Sequence, residues 1–299
     1  MKPEWLKIKI PKGESIAHYS EVNTLVRNHG LNTICVEGKC PNINKCWGEG
    51  TATFMVLGET CTRGCRFCAV KTARKGEALN PMEPINLANV IKKLNLKYVV
   101  ITSVDRDDLE DQGSNHFAEC VRRVREINPQ TKVELLIPDF CGRIDLIQNV
   151  VDAKPDVIGH NIETVRELTK RVRDPRAKYD QSLNVLENIK KLDPEIYTKS
   201  SIMVGVGETE QQIYQTMDDL RTRGVDFLAI GQYLQPTRNL LGVTEFVHPE
   251  IFEKYKRKGL EKGFKYVASG PFVRSSFMAG GFFQQVVKNQ QGNQLPVLQ

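Results

Sequence analysis

A parallel α/β fold, a partial (β/α)6 TIM-type barrel with N-terminal and C-terminal extensions, is the architecture this 299-residue sequence predicts. Three observations carry the prediction. Short runs rich in Val and Ile alternate with longer segments of helical periodicity. The alternation occurs six times, short of the eight units of a complete barrel. A cysteine cluster follows the first run directly, and folds of parallel βα units carry their chemistry on loops at the C-terminal ends of strands. An open doubly wound sheet is the structural competitor, because alternation does not reveal strand order.

Residues 1–52 precede the first run and form an N-terminal extension. The strand-like runs are TFMVLGE from Thr53, YVVITSV from Tyr98, KVELLIP from Lys132, DVIGHN from Asp156, IYTKSSIMV from Ile196 and VDFLAIG from Val225. Each is short and β-branched, as a strand buried on both faces requires. Helical spacing appears in NLANVIKKLN after Pro84, in HFAECVRRVREI before Pro129, and in ETEQQIYQTMDDLRTRG, which closes on Gly224. The barrel is assigned to 53–241. Beyond it, 242–299 reads as a C-terminal extension with one helix near Pro249–Gly263 and a polar tail expected to be mobile.

Composition sets the outer limits. Hydrophobic residues at 40% and charged residues at 26% describe an ordinary globular chain rather than a disordered one. Forty-two Lys and Arg against 36 Asp and Glu leave +6, a mild excess spread along the chain. That is far from the dense basic stripe of a nucleic-acid binder, and no apolar run is long enough to span a membrane. The opening residues break every apolar run with Lys or Pro and offer no secretory signal, so a cytoplasmic protein is expected.

Six of the eight cysteines fall in two groups: Cys35, Cys40 and Cys46, then Cys61, Cys65 and Cys68. In a reducing compartment such clusters bind metal rather than form disulfides. Structural zinc wants four closed positions, usually as two CxxC pairs, and neither group supplies that layout. A four-iron cluster takes one thiolate per iron, so a group of three leaves one iron free for another ligand. An open iron suggests chemistry rather than electron carriage. Cys120 and Cys141 stand alone and read as small packed residues. The five histidines form no HExxH or spaced pair, so a zinc hydrolase has no support.

The stretch CTRGCRFC, Cys61 to Cys68, resembles the CxxxCxxC motif of radical S-adenosylmethionine enzymes, and the upstream CxxxxCxxxxxC is similar to the auxiliary-cluster motif of the lipoyl synthase family. VEGKCPNINKCW, VDRDDL, GHNIETV, KSSIMVGVGET, GQYLQPT and GPFVRSSF resemble segments of that family in the same order, over nearly the whole chain. The resemblance implies two 4Fe–4S clusters, one on Cys61, Cys65 and Cys68 and an auxiliary one on Cys35, Cys40 and Cys46, the latter completed by Ser276. It also implies S-adenosylmethionine, two molecules per product, as the source of a 5′-deoxyadenosyl radical. That radical takes hydrogen from C6 and then C8 of an octanoyl chain on a lysine of a carrier domain, and the auxiliary cluster supplies both sulfurs. The implied partners are octanoylated E2 subunits and the glycine cleavage H protein, an electron donor such as ferredoxin or flavodoxin, and a carrier that rebuilds the auxiliary cluster. Neither nucleic acid nor membrane is among them. Three departures stand out: Phe277 where the family has Tyr, Glu110 to Gly113 in place of Asp-Gly-Gly, and Ser201 where Gly is usual after Lys199 and Ser200.

Further residues have a ligand role and a plain structural one. Phe67 precedes Cys68, where the superfamily places an aromatic ring near the adenine; otherwise it is core. Asn161 and Glu163 satisfy two ribose hydroxyls or cap the next helix. Ser103 and Asp105 receive the methionine amino group or form a helix N-cap. Arg173 pairs with the methionine carboxylate or is solvated. Arg274 faces a ligand or the surface. Gly205 to Glu208 is too short a glycine signal for a phosphate loop and reads as close backbone approach to the nucleoside. Two other functions compete: a radical enzyme with a different sulfur-insertion or methylthiolation substrate, and a redox carrier with closed clusters that leaves S-adenosylmethionine intact.

Overall fold

The computed structural model describes residues 3–7, 14–48 and 52–276. Phe277 and the polar tail lie outside the described residues. Among the described residues there are ten strands: β1 (Asn32–Thr33), β2 (Thr53–Val56), β3 (Thr60–Cys61), β4 (Lys71–Thr72), β5 (Tyr98–Ser103), β6 (Lys132–Leu136), β7 (Val157–Gly159), β8 (Tyr197–Val204), β9 (Phe227–Gln232) and β10 (Tyr266–Gly270). The α-helices are α1 (Glu14–Asn28), α2 (Ile34–Glu37), α3 (Ile43–Gly48), α4 (Glu83–Lys93), α5 (Ser114–Ile127), α6 (Ile144–Asp152), α7 (Thr169–Val172), α8 (Tyr179–Leu192), α9 (Glu210–Thr222) and α10 (Pro249–Glu261).

The main sheet runs β1-β2-β5-β6-β7-β8-β9-β10. From β2 to β10 every neighbour is parallel, and only the two-residue β1 lies antiparallel, with Asn32 opposite Met55. All six expected strands occur in sequential order, as in a barrel, and the order of a doubly wound sheet is not found. β10 adds a seventh parallel strand, in register with β9 from Tyr266 opposite Phe227 to Gly270 opposite Gly231. The sequence reading left it within the C-terminal extension, because Ala268, Ser269 and Gly270 have little strand character.

Helices α4, α5, α6, α8, α9 and α10 make the six crossovers, each laying an apolar stripe on the sheet. In α5 the stripe is Phe117, Cys120, Val121 and Val124, at the spacing of one helical face, and all four are fully buried. Cys120 is thus the packed residue expected. In α9, Thr209 accepts from the Gln212 backbone while the Gln212 side chain accepts from the Thr209 backbone, a capping box that fixes where the helix starts.

The link from β2 to the cysteine loop is held from three sides. The Glu83 carboxylate accepts from the Leu57 N–H at 3.0 Å, Arg106 donates to the Leu57 carbonyl at 2.9 Å, and His116 meets Glu83 at 2.7 Å. Gly113, the N-cap of α5, adopts φ 83°, and a Cβ there would lie 2.4 Å from Leu57 Cδ1. Gly113→Ala therefore meets both a left-handed backbone and a filled space, and should lower unfolding free energy by about 1–3 kcal/mol in denaturant titration.

Candidate active site

The cluster cysteines, Ser276 and the side chains expected to meet S-adenosylmethionine line one cavity of about 830 Å3 at the C-terminal ends of the strands, whereas Gly205 to Glu208 do not line it. Its wall includes Cys35, Cys40, Cys46 and Ser276 on one side and Cys61, Cys65 and Cys68 on another, with Phe67, Ser103, Asp105, Asn161, Glu163, Arg173 and Arg274. Such a volume is in the upper range of small-molecule sites. None of the eight cysteines is in a disulfide.

The thiols sit among backbone N–H donors. Arg63 N–H points at Cys61 Sγ at 3.4 Å and Asp174 N–H at Cys65 Sγ at 3.3 Å. Backbone donors from Val70, Thr53 and Asn42 serve Cys68, Cys35 and Cys40. Without a cation, burial pushes Cys61 and Cys65 up to about 12, the Asp105 charge adding to the effect, and burial raises Cys68, Cys35 and Cys40 as well. A thiolate in this cavity thus needs a positive partner, while the N–H groups are already aimed at the charge it would carry. Each group supplies three thiols, one short of the four closed ligands of structural zinc. A four-iron cluster instead takes its cysteines one per iron, and the donor set fits it.

A charge network anchors the loop between Cys61 and Cys65. Arg63, side chain 2% exposed, grips Asp107 with Nε at 2.8 Å and one terminal nitrogen at 2.7 Å, meets Asp139 at 2.8 Å and lies 3.3 Å from Asp105. Arg176 in turn bonds Asp174, whose carboxylate accepts from Gly64 N–H at 2.8 Å. Burial opposes ionising Asp139, yet the Arg63 guanidinium holds its carboxyl down at about 2. Cys141 is exposed rather than packed: it occupies a left-handed turn, φ 50°, with its sulfur 3.4 Å from Arg63.

Ser103 ends β5 and Asp105 lies in the loop just beyond it; both precede α5 by many residues, so neither caps a helix. Ser103 Oγ is buried without a hydrogen-bond partner. Burial, with Asp139 and Asp107 nearby, lifts Asp105 to about 6 despite Arg63 and Arg173. Asn161 donates to Glu163 at 3.0 Å, and neither caps the next helix, whose N-cap is Val165. Glu163 adopts φ 66°, rare for a side-chain-bearing residue, and is held there by a bridge to β8: its N–H reaches Ser201 O at 3.0 Å and its carbonyl accepts from Met203 at 2.8 Å. Strain of this kind concentrates at functional sites.

Arg173 is 7% exposed, not solvated. One terminal nitrogen donates to Ser182 Oγ at 2.8 Å, and Nε is buried without a partner. Ser182 lies 2.8 Å from His160 Nε2, and His160 Nδ1 lies 2.9 Å from the Ile137 carbonyl. A neutral imidazole protonated on Nδ1 satisfies the whole relay: Nδ1–H donates to the carbonyl, Nε2 accepts from the serine, and the serine oxygen accepts from the arginine. His160 and Ser182 carried no signal in the sequence, since a lone histidine and a helix serine fit many roles. Together Asp105, Arg173 and the unpartnered polar atoms offer an amino-acid headgroup opposite charges at both ends.

The C-terminal segment closes the cavity. Thr53 Oγ1 donates to Ser276 Oγ at 2.9 Å, and Asn42 Nδ2 to the Phe272 carbonyl at 2.7 Å. At Gly231 a Cβ would fall 2.0 Å from the Val273 carbonyl, so only glycine lets the segment cross β9 this closely. Arg274, half-buried, lines the cavity near Cys40, and burial lowers its pKa. Phe67 packs with Val172, Val206, Tyr233 and Leu241 at the edge of the cavity. The glycines at 205 and 207 have φ 92° and 111°, and the close approach at Gly205 is to Gln232 and the Glu245 carbonyl. The Glu208 carboxylate closes that turn on Val206 N–H at 3.0 Å.

Residues 55–220 match the model of the radical SAM superfamily. The chain is 52% identical over 294 residues to the mitochondrial lipoyl synthase of Aedes aegypti, covering 96% of this chain and 74% of that one. It is 51% identical over 291 residues to the lipoyl synthase of Halobacterium salinarum, covering 96% and 92%, and 52% identical over 284 residues to that of Myxococcus xanthus, covering 95% and 94%. Among solved structures, methylornithine synthase superposes with a TM-score of 0.54 at 14% identity over 84% of this chain and 77% of its own, showing the same fold.

Burial depresses His160 to about 4, against 6.5 for a free imidazole. The neutral form is favoured in the fold, so the unfolded chain binds the extra proton between those values, and the stability tied to His160 is present above pH 6.5 and lost as pH falls through about 4. His160→Gln should remove about 3 kcal/mol of the pH dependence of unfolding across that window, measured by denaturant titration at each pH.

Proposed function

The chain belongs to the lipoyl synthase family within the radical S-adenosylmethionine superfamily, and from that premise we propose how its residues divide the work. The enzyme inserts two sulfur atoms, at C6 and C8, into an octanoyl chain on a lysine of a lipoyl carrier domain. When bound, the clusters and S-adenosylmethionine supply the carbon radical and the sulfur.

Cys61, Cys65 and Cys68 hold the cluster that receives S-adenosylmethionine. Asp105 and Ser103 take its amino group, the partnerless Arg173 Nε its carboxylate, Asn161 and Glu163 the ribose, and Phe67 borders the adenine. Cys35, Cys40, Cys46 and Ser276 hold the auxiliary cluster. The observation that carries this assignment is the shared cavity: both thiol groups line it, so a substrate chain lodged between them meets both. Met55, Val100, Ile137 and Met203 add apolar wall against which an alkyl chain displaces water. Residue packing there contributes orientation and shields a radical from solvent.

The finer partners belong to the same proposal: octanoylated E2 subunits and the glycine cleavage H protein as carriers, ferredoxin or flavodoxin as reductant, and an iron–sulfur carrier to rebuild the auxiliary cluster. Eight cysteines without a disulfide suit a reducing, cytoplasmic setting, and among the described residues no helix is long and apolar enough to cross a membrane.

Anaerobic turnover of the cluster-loaded protein with S-adenosylmethionine, reductant and an octanoyl-lysyl peptide tests the assignment by mass spectrometry. Wild type should add two sulfurs and form 5′-deoxyadenosine. Cys61→Ala should abolish both, whereas Cys40→Ala should abolish sulfur addition and leave 5′-deoxyadenosine. Sulfur addition surviving in Cys40→Ala would contradict the division of roles.

A further inference from the structure

Two residues outside the ligand set each touch both halves of the auxiliary site. Thr53 lines the cavity with Cys35, its backbone N–H favouring that thiolate, and donates its hydroxyl to Ser276 Oγ at 2.9 Å. Asn42 lines it with Cys40, its backbone N–H favouring that thiolate, and donates its side-chain amide to the Phe272 carbonyl at 2.7 Å. The halves are far apart in sequence, by 223 residues in the first bond and 230 in the second. Both residues are buried, Thr53 at 6% and Asn42 at 6% exposure, so water does not compete for these bonds. Thr53 is also fixed by the sheet, opposite Val100 in the parallel β2–β5 pair.

We propose that Thr53 and Asn42 are the positioning residues that fasten the Ser276 segment to the auxiliary cysteines, with the Thr53 hydroxyl setting how firmly Ser276 holds its iron. The inference rests on the assignment of Ser276 as a ligand. Nothing else places that oxygen as directly: Gly231 permits the segment to cross close to β9, but supplies no bond to the serine. A serine oxygen is a hard and readily displaced donor for a cluster built on thiolates, so its residence depends on what holds it. The Thr53 hydroxyl donates to Ser276 and leaves the other lone pair of that oxygen free for a metal. Thr53→Val would keep the shape and the backbone pairing with β5 while removing this one donor.

The test is anaerobic iron release from the holoenzyme to a ferrous chelator, followed by absorbance, which reads cluster integrity without turnover. Ser276→Ala identifies the auxiliary phase as the one it accelerates. Thr53→Val should accelerate that phase roughly fivefold, the factor expected for one hydrogen bond of ordinary strength, and leave the other phase unchanged. Thr53→Ser, which retains the hydroxyl, should release iron at the wild-type rate. Asn42→Ala should act in the direction of Thr53→Val. A wild-type rate in Thr53→Val, with Ser276→Ala still fast, would overturn the inference and leave the serine ligand standing. Thr53→Ser as fast as Thr53→Val would overturn it too, since the hydroxyl would then not be the holding group. If Ser276→Ala itself matched wild type, the ligand assignment would fall, and the inference with it.

Discussion

A parallel sheet that stops before closing leaves its first and last strands unpaired with each other and opens the interior along one side. In this chain β2 and β10 are those strands, with seven parallel strands where a closed barrel has eight. The gap is filled by the two ends of the chain. β1 and the short helices α2 and α3 cover β2 and bring Cys35, Cys40 and Cys46; the turn after β10 returns over β9 and brings Arg274 and Ser276. The proposed auxiliary site thus lies in the opening that the incomplete barrel leaves, and it shares one cavity with the cysteines of the first barrel loop. Two chemistries that must act on one alkyl chain are thereby placed within its reach.

Burial is the second constraint. Thiolates, carboxylates and guanidinium groups all lie where water is scarce, and each charge would be costly alone. The fold answers with fixed partners. Backbone N–H groups face the sulfurs, Arg63 joins Asp107 and Asp139, and the neutral His160 passes its hydrogen bonds through Ser182 to Arg173. Partners fixed in this way keep down the reorganisation that ligand binding requires. Ser103 Oγ and Arg173 Nε are among the buried polar atoms without a partner, and both residues line the cavity.

Much of this was legible in the sequence because its signals are local. Six Val- and Ile-rich runs marked six strands, and the spacing of six cysteines marked two groups. β10 escaped because a strand ending in Ala-Ser-Gly is defined by its neighbour rather than by its own side chains. Cys141 was misjudged because its turn depends on Asp139 accepting from the Cys141 N–H at 3.0 Å, a tertiary constraint without a pattern. Asn161, Glu163, Ser103 and Asp105 each had a competing role as helix caps, which only the positions of the following helices removed. The Arg173 relay and the Thr53 bond to Ser276 join residues distant in sequence, and no periodicity records them.

The central claim is that two cysteine groups hold two clusters facing one substrate cavity. Crystals of the anaerobically loaded enzyme, with iron located by its anomalous scattering, test it most directly. The account predicts two separate iron clusters bordering the same cavity, one on Cys61, Cys65 and Cys68, the other on Cys35, Cys40 and Cys46 with its fourth iron on Ser276. A single cluster shared by the two groups, or a second cluster outside this cavity, would contradict it.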